Sequence, residues 1–291
     1  MIIVITGPTA VGKTKLSIAL AKKYNAKIIN ADSVQIYKKM DIASAKVTKD
    51  EMENVPHFLL DIKEYNEDYT VYDYQIDVRK LLDEFKDDNV ILVGGTGLYI
   101  KAALYDYRFN KEEANKTYED LSKEELFEKI LKLNPNTKVD KNNKRRLIRE
   151  LINLENNSEN SLGDTLLYKD VYFIGLTTDR KVLYEKINNR VDDMIKSSLE
   201  DEARYFYNLD KDAKSLKTVI GYKEFFKYFD KEITKEEAID LIKKNSRHYA
   251  KRQYTWFNNK MNITWFDVDY NNFDNTIKKV EEYIEKKETS K

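Results

Sequence analysis

The chain has 291 residues, 41% hydrophobic and 35% charged, long enough to bury one large core or a core with a smaller insertion, and too apolar for disorder. Lysine plus arginine equals aspartate plus glutamate at 51 each, so net charge carries no signature of nucleic-acid binding and any basic surface must come from segregated charge. The absence of cysteine excludes disulfides, thiolate-held zinc and thiol chemistry; no apolar run approaches the ~18 residues of a membrane span, and a first strand starting at Ile2 leaves no room for a signal peptide, so a cytoplasmic protein is expected.

Ile2, Ile3, Val4 and Ile5 predict a short buried strand. It runs into Gly7, Pro8, Thr9, Ala10, Val11, Gly12, Lys13 and Thr14, which fit the phosphate-loop pattern GxxxxGK[ST]. Gly7 and Gly12 allow a tight turn whose N–H groups point at an anion, Lys13 adds a point charge, and Thr14 offers a hydroxyl to Mg²⁺. A helix over about residues 15–24, with Leu16, Ala19 and Leu20 on one face, turns its positive end toward the same anion. Kinases, NTPases and some transferases share such a loop, so it does not name the phosphate compound.

Lys27 to Asn30 read as a second strand leading into Ala31-Asp32-Ser33-Val34-Gln35-Ile36-Tyr37. Ligands of open α/β sheets collect at the carboxyl ends of strands, which makes Asp32, Ser33 and Gln35 site candidates; a cap or turn role for Asp32 is the alternative. Two loop-like segments follow, at residues 40–46 and 55–61, and His57 is read as packing or surface, with no metal site drawn from it. Thr70 and Asp73 suggest a capped helix through Leu81, Leu82 and Phe85, whose tyrosines either stack on bases or fill the core.

A third strand at residues 89–93 ends in Gly94-Gly95-Thr96-Gly97. It lacks the Asp that phosphate-loop NTPases often place at such a strand end to hold Mg²⁺, so an acidic role nearby falls to Asp32. The glycines suggest backbone kept bare for a substrate or threaded nucleotide, or a tight turn before a helix.

Residues 111–170 change character: charged, poor in glycine and helical in period (Leu121, Leu126, Ile130, Leu131) until Asn134-Pro135-Asn136. The next helix opens on Lys141, Lys144, Arg145, Arg146 and Arg149, five cations with no anion among nine residues. Such a stripe suits phosphate backbones or is a solvated helix face. With residues 156–163 as a polar loop, the stretch reads as a helical insertion.

A fourth strand at residues 171–176 precedes Thr177-Thr178-Asp179-Arg180 and a helix with Leu183, Tyr184, Ile187, Val191 and Met194 on its apolar face and Arg180 and Arg190 elsewhere. Such arginines reach a diphosphate or make surface ion pairs. Val219 to Glu224 lie between helices. Residues 243–252, KKNSRHYAKR, followed by Gln253-Tyr254-Thr255-Trp256-Phe257, interleave cations and aromatics as nucleic-acid contacts do, or form an amphipathic helix that packs Tyr249 and Trp256 inward. Residues 262–266 read as a last strand before a charged terminal helix.

GPTAVGKT, ADSVQIY at residues 31–37, VGGTGLYIKA at 93–102, TTDRKVLYEKINNRVDDMI at 177–195, VIGYKE at 219–224 and RHYAKRQYTWF at 247–257, in this order, make the chain resemble the tRNA dimethylallyltransferases, prenyltransferases of the adenosine beside the anticodon. The resemblance covers nearly the whole chain. Where the family usually has Gly-Thr-Ala-Lys-Pro, this chain has Ala43-Ser44-Ala45-Lys46-Val47, and Phe58 replaces a usual second histidine after His57; no cysteine-containing zinc finger is present, as in the bacterial form.

The resemblance implies an α/β fold: a P-loop NTPase-like parallel sheet flanked by helices, from residues 1–110 and 168–291, with a helical tRNA-binding insertion at 111–167. It implies dimethylallyl diphosphate held by Gly7 to Thr14 and Arg180, Mg²⁺ at Thr14, and Asp32 as general base with Thr96 and Lys13 as further catalytic groups. It implies tRNA contacts from Asp32, Ser33, Val34, Gln35 and Thr96, from Lys144, Arg145, Arg146, Leu147 and Ile148, and from Arg247, Lys251 and Arg252, in a protein expected to act as a monomer without membrane partners. A small-molecule kinase or a non-catalytic RNA-binding protein built on the same loop remain the alternatives from the residues themselves.

Overall fold

The computed structural model describes residues 1–109, 118–155 and 163–290. Its six strands form one parallel sheet in the order β3-β2-β4-β1-β5-β6. β1 (Ile2–Thr6) is central and buried along its whole length, which is why it reads as an unbroken apolar run: both faces of a parallel sheet are covered by crossover helices. β2 (Ala26–Asn30) and β4 (Asn89–Val93) lie to one side of it, β5 (Val171–Thr177) and β6 (Thr264–Asp267) to the other. The chain therefore reverses its direction of travel across the sheet at β1, the arrangement that opens a crevice at the carboxyl ends of the flanking strands.

Two segments differ from their expected form. The loop expected at residues 55–61 contains a two-residue strand, β3 (His57–Phe58), beside Ile28 and Ile29, and the Ile28 N–H donates to the Pro56 carbonyl at 2.9 Å. The acidic stretch before it folds into a single helical turn, α2 (Lys49–Met52), closed by a reciprocal Thr48–Glu51 cap. The helix after the phosphate loop, α1 (Lys13–Tyr24), starts at the lysine, so Lys13 and Thr14 belong to its first turn. In α3 (Val71–Glu84), Thr70 and Asp73 form the expected cap, and Tyr74 is a core residue: fully buried, stacked on Tyr99 at 4.2 Å, its hydroxyl donating to the Asn30 carbonyl.

The chain divides into two compact units, residues 1–103 with 168–291 and residues 104–167. In the larger, α4 (Gly97–Leu104) follows β4. After the insertion in the sequence, α7 (Arg180–Lys196), α8 (Leu199–Asp210), α9 (Tyr222–Phe229) and α10 (Lys235–Lys260) close around Val191, Phe206, Tyr222, Phe225 and Ile242. The whole basic and aromatic segment from Lys243 to Phe257 lies within α10. The terminal helix α11 (Phe273–Thr289) contributes Val280 and Ile284 to the sheet core.

The smaller unit pairs its two ends: Leu167 N–H donates to the Leu104 carbonyl at 2.9 Å and Asp106 N–H to that of Thr165 at 3.0 Å. α5 (Lys123–Leu133), capped by Ser122 and Glu125, packs on α6 (Lys144–Glu155) through Leu126, Ile130, Leu147 and Leu151. Leu147 is wholly buried between these helices, so the expected tRNA contact by Leu147 is wrong for its side chain; packing holds it, and Ile148 is partly buried beside it. The start of the expected insertion and the polar loop at 156–162 lie outside the described residues. Among the described residues no helix is long and apolar enough to cross a membrane.

Candidate active site

The phosphate loop is held by backbone geometry that its sequence encodes. Gly7 has φ +133°, and a Cβ there would stand 2.5 Å from the Leu176 carbonyl oxygen, so only glycine joins β1 to the loop. Lys13 Nζ donates to the carbonyls of Gly7 (3.1 Å) and Pro8 (2.8 Å), bracing the turn from inside. Burial pulls the Lys13 pKa down from 10.5 to about 8, with the nearby Arg190 charge acting in the same direction and Asp32 against it. On the outer side, the Tyr270 hydroxyl donates to the Ala10 carbonyl at 3.3 Å.

A second wall comes from the turn after β2. Asn30 ties its own turn, accepting the Asp32 N–H and donating to the carbonyls of Asp32 and Leu59, each at 3.0 Å. Asp32 Oδ1 accepts the Val34 N–H at 3.0 Å. Thr96 locks this turn to the end of β4: its N–H donates to the Ala31 carbonyl (3.1 Å) and its Oγ1 accepts the Ser33 N–H (3.1 Å). Gln35 donates to the carbonyls of Ser44 and Ala45, and Glu202 accepts three successive N–H groups, Asp41, Ile42 and Ala43, so the 41–45 loop is pinned as a further wall.

These walls enclose a cavity of about 410 Å³. Thr9, Ala10, Gly12, Lys13, Thr14, Asp32, Ser33, Val34 and Gln35 line it together with Arg252, a residue expected at the tRNA. Gly7, Pro8 and Val11 do not; the Val11 side chain lies in the sheet core and leaves only its main chain for the loop. Thr96 stands behind the lining, holding Ser33. Lys251 is exposed on α10, outside the cavity lining.

Arg180, expected at the diphosphate, is exposed in the first turn of α7, its guanidinium 5.1 Å from the Tyr184 ring centre, and does not line the cavity. Arg247 also stays outside the lining, donating to Asn188 Oδ1 at 2.5 Å. Arg190 lines it instead. Burial draws its pKa below the ordinary arginine value, opposed by the charges of Asp32 and Glu51, and it makes no hydrogen bond or ion pair among the described residues. The expectation that Arg190 lies off the apolar face of this helix is wrong: Ile187, Arg190, Val191 and Met194 follow helical spacing and all four line the cavity, so that spacing was the signal for a cation within an otherwise apolar stripe.

Further lining residues escape a reading of the sequence as cavity groups. Tyr249 and Gln253 project from α10, and burial holds the Tyr249 hydroxyl above the ordinary tyrosine range beside Thr96 and Gln253. Lys223 adds another cation from α9. His57, read as packing or surface, lines the cavity too; its Nδ1 lies 2.8 Å from the Val55 carbonyl and therefore carries the proton, and burial lowers its pKa. Among the described residues no group of three or more His, Cys, Asp or Glu side chains forms a metal cage. The cavity is thus a cationic cradle facing one oriented carboxylate.

In the smaller unit, Arg145, Arg146 and Arg149 are exposed on α6, while Lys144 donates to the Glu119 carbonyl at 2.6 Å.

A family model described as IPP transferase matches residues 35–260. The tRNA dimethylallyltransferase of Lactococcus lactis is 45% identical over 95% of this chain and 95% of its own. Among solved structures, the full-length tRNA isopentenylpyrophosphate transferase of Bacillus halodurans superposes with a TM-score of 0.76 at 40% identity, covering 98% of this chain and 96% of its own. A eukaryotic dimethylallyltransferase described as acting on tRNA superposes with a TM-score of 0.80 at 26% identity, over 96% of this chain and 77% of its own. With nearly its whole length matched in sequence and in structure, the chain belongs to the IPP transferase family.

Proposed function

We propose that the protein is a tRNA dimethylallyltransferase: it moves a dimethylallyl group from dimethylallyl diphosphate to the exocyclic amine of the adenosine beside the anticodon, releasing diphosphate and N6-(dimethylallyl)adenosine in tRNA. The observation that carries this reading is one cavity shared by Lys13, Thr14 and Arg190 on one side and the Asp32 carboxylate on another. Its volume suits a small phosphorylated donor with a base entering beside it.

The chemistry asks for two things of these residues. The allylic C–O bond breaks as the C–N bond forms, so negative charge grows on the departing diphosphate; the loop N–H groups, Lys13 and Arg190 stabilise it. With a pKa of about 8, Lys13 is mostly protonated at neutral pH. The adenine amine is a weak nucleophile that must shed a proton, and Asp32 takes it as general base, oriented through Oδ1 by Val34. Thr96 keeps Ser33 and Asp32 in register. Ser33 and Gln35 read the base, which has to leave its stack to enter the cavity.

The Thr14 hydroxyl is a hard oxygen donor at the start of α1 and lines the cavity, which fits Mg²⁺, an ion that takes oxygen ligands, keeps most of its waters and binds few protein groups beside phosphates. Thr14 would hold the ion, which would supply further positive charge for the leaving diphosphate. Arg145 and Arg146, with Lys251 and Arg252, supply phosphate contacts to the tRNA. The protein acts as a cytoplasmic monomer in this reading.

The test is direct. Protein, dimethylallyl diphosphate, Mg²⁺ and tRNA transcripts with or without the target adenosine are incubated, and digested nucleosides are analysed by mass. A dimethylallyl increment confined to transcripts with the adenosine is expected; phosphate transfer from ATP, or tRNA binding without product, would replace the reading.

A further inference from the structure

The cradle follows β1 and the base follows β2, with β4 between them; where β1 meets β4, Thr6 Oγ1 donates to the Gly94 carbonyl at 3.3 Å, and beyond the strand ends the Gln253 side chain ties the loop itself to the turn after β4. Gln253 is buried on α10 at 5% exposure, with both ends of its amide engaged. Oε1 accepts the Thr9 N–H of the phosphate loop at 3.0 Å; Nε2 donates to the Gly95 carbonyl of the turn after β4 at 3.1 Å. That turn carries Thr96, which holds Ala31 and Ser33 on either side of Asp32. A Cβ on Gly95 would lie 1.9 Å from Gln253 Nε2, so glycine is required for the amide to reach the carbonyl.

We propose that Gln253 is the positioning residue of the transfer: its amide sets the distance between the diphosphate cradle and the Asp32 turn. The inference rests on the prenyl-transfer reading above. It follows from what such a reaction needs. Donor carbon and amine have to meet at near-attack separation, and an error of about 1 Å costs roughly a hundredfold in rate even when each substrate still binds. A glutamine is suited to this place because it donates at one end and accepts at the other, across a fixed length, while carrying no charge that would compete with the diphosphate.

The full-length protein tests the proposal with Gln253→Met, which keeps volume and loses both hydrogen bonds, and Gly95→Ala, which pushes the amide away from the other side. For each, kcat should fall about thirtyfold or more, while dissociation constants for inorganic diphosphate with Mg²⁺ and for tRNA transcript stay within about threefold. The double variant should lose no more than about twofold beyond the worse single one, because both break the same bridge. If Gln253→Met does not fold, Gln253→Asn, which keeps an uncharged amide too short to span Thr9 and Gly95 together, carries the same expectation for kcat and for both affinities. Turnover within about threefold of the parent overturns the proposal, as does diphosphate affinity falling in step with kcat, or losses that multiply in the double variant. An unmodified protein that makes no prenylated nucleoside in the same assay removes the prenyl-transfer reading, a result distinct from any of these.

Discussion

Val34 donates its N–H to Asp32 Oδ1 at 3.0 Å, which leaves Oδ2 as the carboxylate oxygen with no hydrogen bond among the described residues. One oxygen is fixed and the other is presented, the geometry of a base held for use. Asp32→Ala should therefore lower turnover about a hundredfold or more, with tRNA affinity nearly unchanged. Single-turnover rates beside filter binding separate these effects; near-normal turnover would remove Asp32 as the base.

Lys13 sets a pH expectation whose sign is opposite to that of a salt-bridged lysine. Its folded pKa of about 8 lies below the ordinary 10.5, so between those values the unfolded chain binds more protons and stability rises with pH. Below about pH 8 the buried charge costs stability in full. Lys13→Met should thus abolish transfer and flatten the rise of Tm with pH that the parent shows between about pH 8 and 10. Calorimetry across that range checks the sign, and diphosphate affinity of the parent should decline as pH climbs past about 8.

The two arginines of α7 should behave differently. Removing Arg190, which lines the cavity, deletes a charge-assisted interaction of about 1.5–3 kcal/mol, or roughly ten- to a hundredfold in kcat/KM for dimethylallyl diphosphate. Arg180→Ala, an exposed side chain against Tyr184, should change it by less than about threefold. Equal losses in the two variants would mean that the cavity is not where the diphosphate sits.

On α6, charge and packing should separate in the same way. Arg145→Ala with Arg146→Ala should weaken tRNA binding and flatten its dependence on log salt by about one unit for each phosphate no longer neutralised. Leu147→Ala should cost about 2–5 kcal/mol of stability in the smaller unit, because it empties a fully buried position between α5 and α6. Hydrogen exchange in α5 and α6 reads the second effect; titrations at several salt concentrations read the first.

What the sequence determined by itself was local. The loop from Gly7 to Thr14, the Asp32 turn, the apolar strands and the Thr70 cap depend on residues within a few positions of one another, so spacing and residue type were enough. Even the alternation of strands and helices that implied a parallel sheet is a pattern of neighbours.

Tertiary structure decided whatever depends on distant partners. His57 and Phe58 are a strand because β2 offers them an edge, a fact that two residues cannot signal. Arg180 and Arg190 share one helix, and its docking against the cavity turns one inward and leaves the other in solvent. Leu147 sits in a basic run yet is claimed by Leu126 and Ile130 across the helix pair. Gln253 bridges Thr9 and Gly95 over 244 and 158 residues of chain, a pairing that hydrogen-bond satisfaction in a buried space selects and no periodicity encodes.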